Sequence, residues 1–203
     1  MSKYIIVIYI ISNFCLSYDY SNDSLLTTYD CNFIERNCIK VINKWQKLSY
    51  STNAINCQFY PSCSNYFSLA IAKKGILKGS IIGLDRIIRC NPAAVGYHFQ
   101  QSDPKFHHDG RLIDNLEFNK GKIQKNQMIY MSVIPGLGRT FAGHKFDGFM
   151  SLAFVSIFSG ISYSAFNNNN NNIGFISGVL ATFFWASDYY GTYRTLMLSQ
   201  NNN

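Results

Sequence analysis

The stretch CQFYPSCSNYFSLAIAKKGILKGSIIGLDRIIRCNP, residues 57–92, decides the fold of this chain. Between Ser64 and Cys90 its apolar residues recur every three or four positions, which predicts helix with one apolar face. Gly75 and Gly79 interrupt this pattern, and glycine permits the sharp turns that other residues resist. The sequence therefore predicts two helices joined at a glycine corner rather than one long helix.

The ends of the stretch carry their own signals. Pro61 cannot continue a preceding helix, and Ser62 or Ser64 is suited to cap the helix that follows. Arg86 and Arg89 lie about one turn apart near the end of the second helix, where their planar charged groups suit phosphate. A merely solvated basic face is the alternative. The predicted lipid-phosphate contacts are Lys73, Lys74, Lys78, Arg86 and Arg89.

The same stretch contains a dense motif, C-x-F-x-P-[ST]-C-S-x-Y, then an A-I pair, a glycine, K-G and R-x-x-R-C-x-P, without insertion. The motif residues are Cys57, Phe59, Pro61, Ser62, Cys63, Ser64, Tyr66, Ala70, Ile71, Gly75, Lys78, Gly79, Arg86, Arg89, Cys90 and Pro92. In this pattern the chain resembles the bacterial membrane protein insertion efficiency factor (YidD) family. The resemblance extends over about residues 40–104, because Trp45, Gln46, Leu48 and Ser49 fit the family's upstream helix, whereas its downstream G-G-x-D-P-V-P ending is degraded here.

The resemblance implies a non-enzymatic accessory factor that assists insertion of proteins into the bacterial inner membrane. It implies work near the Sec translocon and the YidC-type insertase, with no cofactor and no catalytic residue. The basic helices would lie among the lipid headgroups, with apolar side chains inserted and the basic ones on anionic phospholipid.

Composition points to the same environment. The chain has 203 residues, of which 47% are hydrophobic, 16% aromatic and 14% charged, a balance typical of membrane proteins. Lys and Arg outnumber Asp and Glu by 18 to 11, for a net charge of +7. A basic protein is suited to bind a polyanion, and the long apolar runs favour an anionic bilayer over nucleic acid.

The N-terminal region falls into three parts. Residues 1–18 hold one lysine before a short apolar run, which predicts a signal peptide or an uncleaved N-terminal anchor. Residues 19–38 are polar and acidic and are predicted to be a leader or loop. Ile39–Ser49 then predicts a short basic amphipathic helix, with Val41, Ile42, Trp45 and Leu48 on one side and Lys40, Lys44 and Lys47 on the other.

The C-terminal half predicts a membrane hairpin. Gly148–Phe166 contains no charge and is long enough to cross a bilayer, and Ile173–Tyr190 forms a second apolar run. The six asparagines Asn167–Asn172 between them predict a solvated turn. The predicted fold class is mainly α: an amphipathic domain of helix plus helix-corner-helix at residues 39–106, a linker at 107–127, and a transmembrane helical hairpin domain at 128–198.

The turn that precedes the hairpin contains a P-G-x-G motif, with Pro135, Gly136, Gly138 and Gly143 as its key residues. It resembles, more weakly, a group of poorly characterised bacterial two-span membrane domains. A glycine loop can hold phosphate, but no Walker lysine follows, so a turn leading into the membrane is the favoured interpretation. Asp188 is predicted to be interfacial and ion-paired rather than a buried functional carboxylate.

The sequence gives two conflicting indications of the side of the membrane on which the domain at residues 39–106 lies. Arg139, Lys145 and Arg194 flank the predicted spans on one side, which the positive-inside bias assigns to the cytoplasm. A signal peptide would instead export the domain at residues 39–106, so the two indications conflict.

The six cysteines are Cys15, Cys31, Cys38, Cys57, Cys63 and Cys90, and their spacing does not match a zinc ribbon or finger. Bridges such as Cys31 to Cys38 or Cys57 to Cys63 are possible outside the cytoplasm. Because Cys57, Cys63 and Cys90 bracket the helix pair, they are predicted to meet in a small core cluster, in preference to a metal site or disulfide.

Two other function classes are compatible with single features. Basic amphipathic helices disturb bilayers as readily as they bind them, so a membrane-active, haemolysin-like protein is the alternative function. A hydrolase can be assembled from Cys57 or Cys63 with His98 and Asp103, but these residues lie in no recognisable nucleophile motif.

Overall fold

The computed structural model describes residues 29–51, 57–101, 104–117 and 126–199, and within these ranges the chain is mainly α, as predicted. The predicted leader or anchor at residues 1–18 lies outside the described residues. The helices are α1 (Phe33–Ser51), α2 (Cys63–Arg89), α3 (Ala94–Phe99), α4 (Asn126–Met131), α5 (Leu137–Phe141), α6 (Lys145–Asn167) and α7 (Asn171–Ser199). The strands are β1 (Phe59–Tyr60) and β2 (Leu112–Ile113).

Helix α1 begins earlier than predicted, within the segment assigned to a polar leader. The Glu35 carboxylate accepts a hydrogen bond from the Asn32 backbone N–H at 2.9 Å, which satisfies one of the donors left free where a helix begins. The helix packs against α2 through Ile39 and Gln46, which are fully buried. The last six residues of the predicted leader, 33–38, therefore belong to α1, which corrects that part of the prediction.

Three of the four residues on the predicted apolar side of α1 face outward, whereas the fourth, Ile42, is partly buried against Ile39 and Ile71. Val41, Trp45 and Leu48 are 66%, 57% and 62% exposed, whereas the buried face carries Ile39, Asn43 and Gln46. The helix is held by polar contacts as well, because the Gln46 side-chain amide donates to Ser64 and Asn65 at the start of α2. Three apolar side chains of α1 are thus exposed.

The predicted glycine corner in α2 is confirmed. Gly75 has φ 77°, which divides α2 into two helical halves. Across the corner, Gly79 lies so close to the backbone of Ile71 that an added Cβ would approach its Cα within 2.5 Å. The corner lets Tyr66 and Ala70 of the first half share a core with Ile82 of the second. Ser62 occupies the N-cap position of α2, but its side chain makes no capping hydrogen bond, which corrects that prediction.

The predicted linker at residues 107–127 is part of the folded unit in its described portion. Strand β2 pairs in parallel with β1, with Phe59 opposite Leu112 and Tyr60 opposite Ile113. Phe59, Ala94 and Leu112 form a buried apolar cluster there. This pairing places Asp114, the residue after β2, against the second half of α2.

Helices α6 and α7 form a helical hairpin that also packs on α2. Phe184 of α7 stacks on Phe154 and Phe158 of α6, with ring centroids 4.7 and 5.3 Å apart. The same Phe184 joins Leu84 and Ile88 of α2 in one core. The hairpin and the amphipathic helices are therefore not independent domains. Among the described residues only α6 is long and apolar enough to cross a membrane, so the predicted second span, Ile173–Tyr190, lies in a helix without that property.

Candidate functional site

Seven charged residues meet where α2, the loop after β2, the P-G-x-G turn and α7 come together. We refer to them as the charge cluster. Its members are Asp85, Arg86, Arg89, Asp114, Arg139, Asp188 and Arg194. Four arginines oppose three carboxylates, and six of the seven residues fall in the buried class. Buried charges are tolerated only when they are paired and hydrogen-bonded, so this cluster fixes how its segments are arranged.

Asp85 connects α2 to the P-G-x-G turn. Its Oδ1 accepts a hydrogen bond from Arg139 Nη2 at 2.6 Å, and its Oδ2 accepts from Arg89 Nε at 2.8 Å, one turn along the same helix. The side chain is fully buried. Burial by itself would raise the pKa of the Asp85 carboxyl, but the surrounding Arg89, Arg139 and Arg194 outweigh it and lower the pKa.

Asp114 binds three arginines. Its Oδ2 accepts from Arg86 Nη1 at 2.5 Å and from Arg89 Nη1 at 2.7 Å, while its Oδ1 pairs with Arg194 Nη2 of α7. Burial opposes the charge of Asp114, yet the three arginines hold its pKa well below the ordinary value. The carboxylate therefore ties the predicted linker to both α2 and α7.

Asp188 anchors the P-G-x-G turn. Its Oδ1 accepts from Arg139 Nε and its Oδ2 from the Gly136 backbone N–H, both at 2.9 Å. Gly136 has φ 84°, and an added Cβ would lie 2.1 Å from the Gly148 carbonyl oxygen, so only glycine fits. Asp188 is fully buried rather than interfacial, which corrects the prediction. The turn thus holds a carboxylate of its own chain.

The other residues of the predicted hairpin motif surround this turn. Pro135 precedes Gly136 and is partly exposed. Gly138 lies in α5, where an added Cβ would meet the Ser132 and Thr192 hydroxyls at 2.0 and 2.7 Å. Gly143 has φ 96° and follows α5 with open space around it. Gly136 and Gly138 of the motif therefore serve close packing against α6 and α7.

The predicted lipid-phosphate contacts divide into two groups. Arg86 is fully buried, donates to the Pro61 carbonyl at 3.0 Å and stacks on the Phe59 and Tyr66 rings. Arg89 is also committed to the charge cluster. These two arginines do not face lipid, which corrects that prediction. Lys73, Lys74 and Lys78 are exposed, although Lys73 lies 3.8 Å from Glu117.

Two of the three charged residues predicted to flank the spans are also buried in ion pairs. Arg139 and Arg194 lie at one end of the hairpin but are 0% and 3% exposed and bound to carboxylates, so they present little free charge to a membrane surface. Lys145 remains exposed at the start of α6.

Cys57, Cys63 and Cys90 come together as predicted. Their Sγ atoms all lie within 4.8 Å of one another, and Cys57 and Cys63 are 3.1 Å apart. Contacts from the Cys63 and Cys90 thiols lower the pKa of the Cys57 thiol below its ordinary value, and the same contact with Cys57 raises the pKa of Cys63. All three side chains are partly exposed, and none forms a disulfide.

Of the residues considered for a hydrolase, the structure describes His98 and the two cysteines. His98 is buried, and its Nε2 lies 2.9 Å from the Lys105 carbonyl rather than from a thiol. Asp103 lies outside the described residues.

A separate polar group, in which Asn91 donates to Asp147 at 2.6 Å and Asp147 pairs with His144, links the end of α2 to the start of α6.

The outer surface is apolar over large areas. Phe149, Ile157, Ile161 and Tyr163 of α6 and Phe175 and Ile176 of α7 are 43–71% exposed. A groove of about 730 Å³ between α2 and α7 is lined by Ile81, Ile82, Trp185, Ala186 and Tyr189, with Lys78 among its lining residues. Contiguous apolar surface on this scale is typical of a membrane or protein interaction site.

The sequence did not predict the charge cluster. Asp85 was visible as an isolated acidic residue among basic ones, a signal for an ion-pair partner, but Asp114 lay in a presumed linker without any motif. Gly191, where an added Cβ would lie 2.1 Å from Asp85 Oδ1, carried no signal either.

These features define a class: a helical protein in which a kinked, cysteine-bearing helix is joined by buried ion pairs to an apolar hairpin. Residues 34–100 match the model of the YidD family, described as "Putative membrane protein insertion efficiency factor". A protein of that description from Thermotoga neapolitana is 41% identical over 63 residues, which cover 31% of this chain and 80% of the relative. One from Persephonella marina is 40% identical over 63 residues, or 31% of this chain and 93% of the relative.

The chain belongs to the membrane protein insertion efficiency factor (YidD) family. A relative from Thermotoga maritima is 45% identical over 58 residues, which cover 29% of this chain and 72% of the relative. The matched region ends at residue 100, before Asp114 and the hairpin. No solved structure matches the chain.

Proposed function

We propose that this protein is a non-enzymatic accessory factor that assists insertion of proteins into the bacterial inner membrane. The observation that carries the proposal is the match of residues 34–100 to a family named for this role. The apolar hairpin joined to that region supports a membrane setting. The finer proposal, from the family resemblance, is that it works near the Sec translocon and the YidC-type insertase.

The hairpin provides the membrane attachment in this proposal. Helix α6 has 23 residues, which at ~1.5 Å per residue give about 35 Å, enough for a hydrocarbon core of about 30 Å. Residues 148–167 of α6 and 171–187 of α7 carry no charge, so in this proposal both segments lie in the bilayer with the hairpin turn between them. The charge cluster stays at the hairpin base, within the protein, where its charges are paired.

The amphipathic helices lie in the headgroup layer beside the hairpin. The exposed stripe of Val41, Trp45 and Leu48 on α1 inserts among the lipids, and the neighbouring Lys40, Lys44 and Lys47 face phosphate. On α2, Lys73, Lys74 and Lys78 contact anionic headgroups. The groove beside Lys78 takes a lipid acyl chain, because its lining is almost wholly apolar and the ammonium group pairs with the phosphate.

An insertion assay tests the function directly. Proteoliposomes that contain the Sec translocon and the YidC-type insertase, with or without this protein, would receive a newly synthesised single-span protein, and its protease-protected fraction would be measured. We expect a larger protected fraction with the protein present. An unchanged fraction over a range of protein concentrations would contradict the proposal.

Vesicle flotation tests the membrane contact. Charge reversal of Lys73, Lys74 and Lys78 to Glu should weaken binding to anionic vesicles by about a hundredfold or more, since each lysine near an anionic surface contributes about 1 kcal/mol. The matched control is Lys105→Glu, which reverses one exposed charge outside α2 and should change binding little. Equal losses in both variants would rule out a specific contact by α2.

Dye release separates this proposal from the haemolysin-like alternative. An accessory factor for membrane insertion should bind vesicles without releasing an enclosed dye, whereas a lytic protein releases dye at similar surface coverage. Release that rises in proportion to bound protein would favour the lytic function.

A further inference from the structure

The three cysteines at the ends of α2 form a group of metal-ligand type. Cys57 precedes β1, Cys63 is the first residue of α2, and Cys90 follows its last residue, so three separate points of the chain converge. Their sulfur atoms lie within 4.8 Å of one another. Two cysteines suffice for a disulfide, whereas three converging thiols match the number of protein ligands of a metal site with one open position.

We propose that Cys57, Cys63 and Cys90 bind a thiophilic divalent metal ion such as Zn²⁺. Zinc binds thiolate sulfur at about 2.3 Å, which in tetrahedral geometry separates the sulfurs by about 3.8 Å. The observed separations, from 3.1 Å to at most 4.8 Å, bracket this value. Small side-chain movements therefore complete the triangle.

The backbone around the sulfurs suits a thiolate. The Cys63 backbone N–H donates to Cys57 Sγ at 3.2 Å, and this N–H belongs to the first turn of a helix whose N-cap Ser62 makes no side-chain capping bond. The sulfur thus takes the place of a cap at the positive end of the helix dipole. In metal sites, groups that hydrogen-bond to a ligating atom fix its orientation, and the Cys63 N–H is placed to do this for the Cys57 sulfur.

The site leaves one position open. No further His, Cys, Asp or Glu within the described ranges joins the three sulfurs, and all three side chains are partly exposed. A tetrahedral ion held here therefore keeps a solvent ligand. As each thiol coordinates, it gives up its proton to solvent, so binding weakens at low pH. The bound ion fastens the segment before β1 to both ends of α2, independently of any membrane contact.

Cobalt titration tests the proposal. The full chain, purified in detergent with a reductant and stripped of metal by a chelator, would be titrated with Co²⁺ while absorbance is recorded. We expect sulfur-to-cobalt charge-transfer bands and visible bands of tetrahedral cobalt, which saturate and are then lost on addition of Zn²⁺. Cys57→Ser and Cys90→Ser should abolish the bands, whereas the control Cys38→Ser, in α1, should retain them.

Three results would overturn the proposal. The first is the absence of cobalt bands in the reduced wild-type chain, which needs no variant and so does not depend on variant folding. The second is an equal loss of the bands in Cys38→Ser. The third is a disulfide between Cys57 and Cys63 in protein purified with Zn²⁺ present. It would be detected as a molecular mass two hydrogens below that of the fully reduced protein.

Discussion

The carboxylate of Asp85 in α2 binds the guanidinium of Arg139 in α5, the residue after the P-G-x-G motif, with Oδ1 and Nη2 2.6 Å apart and both side chains fully buried. Asp85 belongs to the region that matches the family, and Arg139 lies beyond it. This single ion pair therefore connects the family domain to the segment that leads into the hairpin.

Removal of the Arg139 side chain should destabilise the protein strongly. Arg139→Ala leaves Asp85 without one partner and Asp188 without its only arginine in the described cluster, and an uncompensated buried charge costs about 3–5 kcal/mol. The control is Lys145→Ala, an exposed charge six residues on, which should change stability by no more than about 0.5 kcal/mol. Denaturant unfolding in detergent measures both. Equal, small effects would show that the cluster does not hold the hairpin.

A methyl group at Gly191 should disrupt the same ion pair by volume alone. The added Cβ would lie 1.8 Å from Arg139 Nη2 and 2.1 Å from Asp85 Oδ1, so the pair must separate or α7 must shift. We expect Gly191→Ala to cost about 1–3 kcal/mol or more. Gly160→Ala in α6 meets nothing within 4 Å and should be neutral or slightly stabilising, since Ala favours helix by about 1 kcal/mol. The difference in melting temperature between the two variants is the measurement.

Low pH should reduce the free energy of unfolding, because Asp85 and Asp114 become protonated. Both pKa values are lowered in the folded state, so their stabilisation is fully present above the unfolded value of about 4 and is lost as the pH falls through the folded values. Asp114→Asn should reduce stability at pH 7, and its difference from wild type should shrink below about pH 4. Unfolding curves from pH 7 to 3 measure this. Asp109→Asn, which alters an exposed and solvent-screened pair with Arg111, should depart from the wild-type curve much less than Asp114→Asn does.

The two tryptophans should report membrane contact separately. Trp45 lies on the exposed stripe of α1 and Trp185 lines the groove between α2 and α7. Trp185→Phe leaves Trp45 as the emitter, and Trp45→Phe leaves Trp185. In each variant we expect a blue shift on addition of anionic vesicles and quenching by brominated acyl chains. A Trp45 emission that stays unchanged when the protein floats with vesicles would exclude insertion of α1.

The hairpin turn should emerge on the far side of the bilayer from α1. An epitope inserted between Asn169 and Asn170, in the exposed turn, should be digested by protease from the side opposite to an epitope placed before α1. Digestion of both epitopes from the same side would indicate that the hairpin lies on the membrane instead of crossing it.

Local patterns in the sequence were enough to predict the four long helices, α1, α2, α6 and α7, the glycine corner at Gly75 and the family. These depend on residues close in the chain: periodic apolar positions, a glycine that alone accepts φ 77°, and a motif of fixed spacing. The meeting of Cys57, Cys63 and Cys90 was predictable too, because they bracket one helical unit.

Only the tertiary structure decided the roles of the charged residues. Asp114 and Arg194 are 80 positions apart, and Asp85 and Arg139 are 54 apart, so no local pattern relates them. From the sequence, Arg86 was predicted to contact lipid phosphate, and Arg139 and Arg194 were predicted to flank the membrane spans. Once α2, β2 and α7 pack, their burial requires carboxylate partners, because an unpaired charge away from water is too costly. The sequence by itself thus determined which helices form and to which family they belong, and packing determined which cations face outward.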